Sequence, residues 1–393
     1  MDIKNRSWYK FSVVIVVVIA LAFAAAAIVR SPGSRTKPTA ITHVSLIAST
    51  NASSSTRVPV VGVLPSGFGW ALTTAGLELT ADGGSSFSVV QSSIPVSNIG
   101  DVAVNDTDVM VAGVRNFSPV IESSSDSGAT WKSVALPVGS GNVGGVQLVT
   151  QSGTIIGMMA TEVTSSNFSA GQWYSTSDRG LTWTRHLTPS GGVVKAVGGN
   201  LWLAGGPQFA SLYQSSDHGL TWSKVPIPTA AVTNGAALSV PGELSNGNVV
   251  LVATTPNADA GSTFEVTVYV SSDLGARWSV LAKTSFAGQI SPGIAIATSA
   301  AANTIWLGAP TDPNAVVVSS NGTLTTTSSI NGVFPGGSIN SINATRSFSA
   351  WVTTVKSECP SGKASCTDVG ALIGTVDGGS TWSLVNLVPA AAS

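Results

Sequence analysis

The chain is poor in charge. Of its 393 residues only 9% are Asp, Glu, Lys or Arg, against about 25% in ordinary soluble domains. With a net charge of −1, it carries no basic field for nucleic acid and no acidic tail. A surface with so few titratable groups changes its charge little with pH, which would suit export into an acidic habitat. Histidine is scarce too: His43, His186 and His218 fall in separate parts of the chain and offer no metal cluster. Cysteine occurs twice, as Cys359 and Cys366 in ECPSGKASC, without the CxxC spacing or nearby His of a redox or zinc pair. That pair reads as a short hairpin-tip disulfide, which fits export. No G-x-S-x-G elbow and no phosphate-binding glycine loop occurs despite 42 glycines. No cofactor is expected.

One long apolar run is present. Lys4, Arg6 and Lys10 precede Phe11 to Val29, which contains no charge and is long enough to cross a bilayer as a helix, with Trp8 and Tyr9 at its interface. A signal anchor is the preferred reading. A cleaved signal peptide is the competing one, since Ala25, Ala26 and Ala27 supply small residues for cleavage. Residues 1–10 are then a cytoplasmic n-region. Residues 30–57, rich in Ser, Thr and Pro, form a stalk in which Ile41 to Ile47 alternates like a strand that seals the following domain. Residues 390–393 are a frayed tail. The expected location is the cell membrane in a single pass, with the domain outside the cytoplasm.

The domain, 58–389, is organised by a repeat. SSDSGATW (Ser124–Trp131), TSDRGLTW (Thr176–Trp183), SSDHGLTW (Ser215–Trp222), SSDLGARW (Ser271–Trp278) and TVDGGSTW (Thr375–Trp382) are near-complete copies. TADGGSSF (Thr80–Phe87) and a shortened unit at Ser319–Thr323 complete the set. The marks at 82, 126, 178, 217, 273, 321 and 377 are separated by intervals typical of β-propeller blades. Asp accepts backbone N–H groups within a hairpin turn, Gly supplies positive φ, and Trp opens the next strand and packs beneath. Second strands centre on Trp70, Trp202, Trp306 and Trp351. The fold class is therefore all-β: a propeller of seven four-stranded antiparallel blades, or six if the unit at Asn321 merges with a neighbour, preceded by one transmembrane helix. The turn residues Asp82, Asp126, Gly128, Trp131, Asp178, Gly180, Trp183, Asp217, Gly219, Trp222, Asp273, Gly275, Trp278, Asp377, Gly379 and Trp382 are structural in this reading. Asp106 and Asp108 offer oxygen ligands to calcium, against the plainer reading of a polar hairpin turn.

The S/T-x-D-x-G-x-T-W pattern resembles the Asp-box, or bacterial neuraminidase repeat. The resemblance implies a blade whose box lies on the outer hairpin, away from the axial face where ligands bind. Sialidases of that superfamily clamp a carboxylate with three arginines and attack with a Tyr activated by Glu. Beyond the stalk the arginines are Arg115, Arg179, Arg185, Arg277 and Arg346. Two of them lie inside the repeated turns and one on an outer strand, which leaves two for the axial face. Tyr174, Tyr213 and Tyr269 each stand four residues before a turn Asp, where Glu78 and Glu122 stand in other units, so packing explains them. The GWAL-plus-box units also resemble the propellers of photosystem II assembly-factor type and the broad WD40/YVTN/BNR-like repeat proteins, which bind partners. The expected function is a non-enzymatic, membrane-anchored binding or assembly scaffold, a monomer, for a protein or glycan partner on the axial face. The alternative is an exo-acting glycoside hydrolase of sialidase-like fold, its carboxylates drawn from Glu162, Glu243, Asp259, Glu265, Asp312 and Asp368. Longer loops at Thr161–Gly171, Pro256–Ser262 and Lys356–Asp368 mark the expected functional rim.

Overall fold

The computed structural model describes residues 60–385, apart from 64–67, 73–75, 83–85, 140–141, 163–169, 207–209, 229–234, 257–262, 292–293 and 359–366. The apolar run 11–29, the stalk with its Ile41–Ile47 strand, Cys359, Cys366 and the tail lie outside the described residues. Among the described residues no helix is long and apolar enough to cross a membrane.

Short runs rich in Val, Ile, Thr and aromatics, punctuated by Gly, Asn and Asp, form strands and tight turns. Blade 1 holds β1 (Val60–Val63), β2 (Gly69–Leu72), β3 (Leu77–Thr80) and β4 (Ser88–Val90). Blade 2 holds β5 (Ile99–Asn105), β6 (Asp108–Arg115), β7 (Ser118–Ser124) and β8 (Lys132–Val134). Blade 3 holds β9 (Val143–Gln151), β10 (Thr154–Glu162), β11 (Gly171–Ser175) and β12 (Thr184–Thr188). Blade 4 holds β13 (Gly192–Val197), β14 (Asn200–Gly205), β15 (Ser211–Ser215) and β16 (Ser223–Lys224). Blade 5 holds β17 (Ala237–Leu238), β18 (Gly242–Glu243), β19 (Val249–Thr255), β20 (Thr263–Ser271) and β21 (Ser279–Ala287). Blade 6 holds β22 (Ala297–Ala301), β23 (Thr304–Gly308), β24 (Ala315–Ser319) and β25 (Leu324–Thr326). Blade 7 holds β26 (Ser338–Arg346), β27 (Ser349–Glu358), β28 (Thr367–Thr375) and β29 (Ser383–Leu384).

Within each blade the strands pair antiparallel in chain order. In blade 5 both β17 and β18 pair with β19, because Pro241, which has no N–H, interrupts the inner strand. The unit around Asn321 owns a separate four-stranded sheet, so the molecule is a seven-bladed propeller and the six-blade alternative is excluded. First strands are innermost: β5 neighbours β9, β9 neighbours β13, and β26 neighbours β1, which closes the ring. Alternating strand direction sends the first-to-second and third-to-fourth turns to one face, hereafter the turn face. The second-to-third turns and the links between blades emerge on the opposite face.

The core is divided among the seams. Seven clusters of buried side chains each join two neighbouring blades, the last uniting Ala71 and Phe87 of blade 1 with Leu372 of blade 7. Among the described residues Trp173, Trp202 and Trp306 are the largest fully buried side chains. Each blade therefore buries its faces only against its neighbours, and the closed ring leaves the inner strands no free edge.

Candidate functional site

The repeated turns are built from within their own eight residues. In blade 2 the Ser124 hydroxyl donates to Asp126 Oδ1 (2.7 Å) and accepts the Gly128 N–H (2.8 Å). The N–H and hydroxyl of Thr130 donate to the two carboxylate oxygens at 2.8 and 2.6 Å. Thr182, Thr221 and Thr381 repeat this on Asp178, Asp217 and Asp377. Ser86 serves Asp82, and the backbone of Arg277 serves Asp273. The residue after Asp is left-handed, with φ of 55° at Ser127 and 60° at His218, and Gly continues in the same region. Two left-handed residues in succession give the hairpin turn whose twist matches the flanking strands. The hydrogen bonds from Thr130, Thr182 and Thr221 hold the carboxyls of Asp126, Asp178 and Asp217 at about 2.

These turns also clasp the preceding blade. A Cβ on Gly219 would enter the indole of Trp173 in blade 3, and one on Gly275 would lie 2.6 Å from Trp202 in blade 4. The Trp173 indole N–H donates to His218 O at 2.8 Å across the same seam. Gly128, Gly180 and Gly379 sit likewise over Val90, Met110 and Thr327. Of the turn tryptophans, Trp278 donates to Pro226 O (3.1 Å) and Trp382 to Ser328 O (2.9 Å), both in the preceding blade or its link. Trp183 donates to Gly180 O within its own turn (2.9 Å), while Trp131 and Trp222 pack into the seams before them.

The chemistry-bearing side chains are dispersed. Arg115 ends β6 opposite the turn face and donates to Ser93 O at 3.1 Å, whereas Arg346 ends β26 on the turn face. The two arginines that sequence reasoning left for one face are thus divided between two. Arg179 and Arg277 occupy turns, and Arg185 on β12 donates to Gln172 Oε1 (3.1 Å). Tyr174 and Tyr269 are buried in seam cores and Tyr213 is half-buried beside another. Glu122 is buried under Ser92 and both polar groups of Ser93. Glu162 takes Gln172, Glu265 pairs with Lys283 (2.9 Å) on an outer edge, and Asp312 accepts the Asn314 N–H (2.9 Å). Asp259 and the Asp368 side chain lie outside the described residues. Asp106 takes φ 57° in the β5–β6 turn and Asp108 opens β6. No group of three or more His, Cys, Asp or Glu comes together among the described residues.

Polar side chains on the inner strands stitch blades near the axis. Asp101 accepts the N–H of Val102 (2.8 Å) and, across the seam, that of Leu148 (2.8 Å). Burial pushes its carboxyl up to about 7 in spite of these bonds. Gln147 exchanges two 3.0 Å hydrogen bonds with the backbone of Val194 in blade 4, and Glu243 accepts the Gly198 N–H at 2.9 Å. Burial lowers the Lys195 ammonium on β13. Gln147 and Lys195 escaped sequence reasoning; the signal was a single polar residue inside VGGVQLVT and GGVVKAV.

The seam between blades 2 and 3 also carries a cleft of about 300 Å³ on the turn face. Ala103, Met110 and Ile155 form its apolar lining, and Asp108, Lys132 and Arg179 its charged rim. Met110 pairs with Ser123, three residues before its turn Asp. Trp70, Trp202 and Trp351 hold that same position in their blades. The shorter, unbranched Met thus stands where an indole fills other seams. The break was visible in DVMVAG against NLWLAG.

On the face opposite the turns, Phe117 (64% exposed) tips the β6–β7 hairpin, and Val138 (90%) lies in the following link. Asn142 and Val143 bond their N–H groups to Phe117 O, so link and hairpin run together. Both Asn116 and Phe117 are left-handed, with φ of 50° and 57°. That conformation is strained for a bulky residue. Leu181, Phe348 and Val376 are exposed on the turn face.

No protein-family model matches the sequence, and no curated protein matches it. Solved structures share the fold. A prolyl endopeptidase structure aligns with a TM-score of 0.53 at 11% identity, over 84% of this chain and 49% of that one. An ancestral GH74 enzyme gives 0.49 at 14%, over 84% and 54%. YCF48 bound to D1 peptide gives 0.48 at 14%, over 75% and 92%. This chain thus spans about half the length of the first two. At such identities the likeness is one of fold, and the fold is the β-propeller.

Proposed function

We propose that this chain is an Asp-box propeller, tethered to the membrane outside the cytoplasm, that acts as a non-enzymatic binding or assembly scaffold for a protein or glycan partner. Its partner docks on the face opposite the turns. The observation that carries this reading is Phe117: a large aromatic, 64% exposed, held in a left-handed conformation that glycine would adopt without strain. Strain of that kind costs on the order of 1–3 kcal/mol and marks functional positions, and exposed aromatics are the residues that dominate protein interfaces. Arg115, which ends β6 two residues before it, and Val138 in the following link are exposed on the same face. The ring beneath is held by seven seam cores and suits rigid presentation of such a surface.

The exo-glycosidase reading has one observation in its favour. Asp101, raised to about 7 by burial, has the protonation of a general acid at neutral pH. Both of its oxygens, however, are taken up by backbone N–H groups, which gives it a structural task.

The test is cross-linking of the full-length protein in its native membrane, wild type against Phe117→Gly, alongside a fluorogenic glycoside panel from pH 3 to 7. A discrete cross-linked partner lost in the variant, with no glycoside turnover, is the expected result. Turnover abolished by Asp101→Asn would overturn the scaffold reading in favour of the glycosidase.

A further inference from the structure

The cleft between blades 2 and 3 lies on the turn face, away from the Phe117 surface, and has features of its own that point to a ligand. Its volume, about 300 Å³, stands at the lower end of small-molecule sites. Its lining is apolar on the side chains of Ala103, Met110 and Ile155. Its rim carries charge of both signs. Lys132 and Arg179 line it without an ion-pair partner among the described residues, and so does Asp108. Asp178 is there too, but its carboxylate is committed to Thr176 and Thr182 within its own turn.

Topology separates these charges. Asp108 opens β6, next to the inner strand of blade 2. Lys132 opens the outermost strand β8, and Arg179 comes from the turn of blade 3 across the seam. A carboxylate therefore stands at the inner end of the cleft, and two cations stand at its outer and opposite sides. The walls belong to two rigid sheets, so the cleft is pre-formed and a ligand loses little affinity to ordering it.

We propose that this cleft is a binding site for a small apolar zwitterion, a free aliphatic amino acid or a dipeptide. Its ammonium group meets Asp108, its carboxylate meets Lys132 and Arg179, and its side chain rests on Met110 and Ile155. The three unpaired charges and the apolar floor are all used by this one ligand class. An anion or a cation alone leaves one side of the rim opposed to it. A neutral apolar molecule leaves both sides unused.

The test uses the full-length protein and leucine as the probe, followed by calorimetry and by chemical-shift perturbation of the methionine methyls. Leucine is expected to bind and to shift the Met110 methyl. N-acetyl-leucine and leucinamide, each lacking one charge, bind at least tenfold more weakly. Met110→Trp restores the residue of blades 1, 4 and 7, fills the cleft and abolishes binding while the fold is kept. Lys132→Ala with Arg179→Ala weakens leucine by about tenfold or more and spares leucinamide. Absence of leucine binding at millimolar concentration overturns the proposal. So does undiminished binding to the Met110→Trp protein, or equal binding of the N-acetylated form. None of these outcomes bears on Phe117, so the two surfaces are judged separately.

Discussion

Replacing Asp101 by Asn removes a carboxyl that the fold holds near neutrality, and the consequence is a change in how stability depends on pH. The folded protein holds Asp101 at about 7, with the ordinary value at 3.8, because burial disfavours the charged form. Protonation is thus favoured by the folded state. Its contribution is fully present below about pH 3.8 and is lost as pH rises through about 7. A displacement of about three units corresponds to roughly 4 kcal/mol at most, at 1.36 kcal/mol per unit. Wild type should therefore lose up to about 4 kcal/mol between pH 4 and pH 8 from this group alone. The amide introduced by Asp101→Asn carries no charge to bury. Its carbonyl oxygen accepts one of the two N–H groups that Asp101 receives from Val102 and Leu148, at a cost of about 1 kcal/mol for the other. The expected result is a variant about as stable as wild type at pH 4.5 and progressively more stable than it up to pH 8. Denaturant unfolding of both proteins at pH 4.5, 6, 7 and 8 measures the difference, in which every other titrating group cancels. A difference that stays constant across this range refutes the assignment.

The turn carboxylates act in the opposite sense. Asp126, Asp178 and Asp217 are held at about 2 by hydrogen bonds from their threonines, so their contribution is present above the ordinary value and is lost as pH falls through about 2. Far-UV circular dichroism should stay flat from pH 5 to 3 and change only near pH 2; loss of β signal at pH 4 would show that the turns do not hold. Gly219→Val forces a side chain into the Trp173 ring at a φ of 90°, and should destabilise by about 2–4 kcal/mol from strain and overpacking together. Urea unfolding measures it, and a loss below about 0.5 kcal/mol would mean the clasp yields freely. Phe117→Gly should raise stability by about 1 kcal/mol, since glycine adopts the left-handed conformation without strain. A lower melting temperature in that variant would show that Phe117 packs rather than presents.

Blade number and turn chemistry were legible in the sequence because they are local. The bonds of Ser124, Asp126, Gly128 and Thr130 close within one eight-residue stretch, so residue types at fixed spacing specify the turn before any blade meets another. The recurrence of that stretch counted seven blades, including the short unit at Asn321. The positions of Tyr174 and Tyr269 on third strands followed from the same spacing. What neighbouring blades do to each other was not legible. His218 O meets Trp173 across 45 residues, and Asp101 meets Leu148 across 47. Such contacts depend on the angle at which one sheet is laid against the next, which no spacing encodes. For the same reason Met110, an ordinary core residue in sequence, becomes the floor of a cleft. Arg115 and Arg346 fall on opposite faces because strand direction, and not residue type, decides which end of a blade a side chain reaches. The sequence by itself determined the unit and its repetition; only closure of the ring decided which side chains share a seam, because a seam exists only once two independently specified sheets are pressed together.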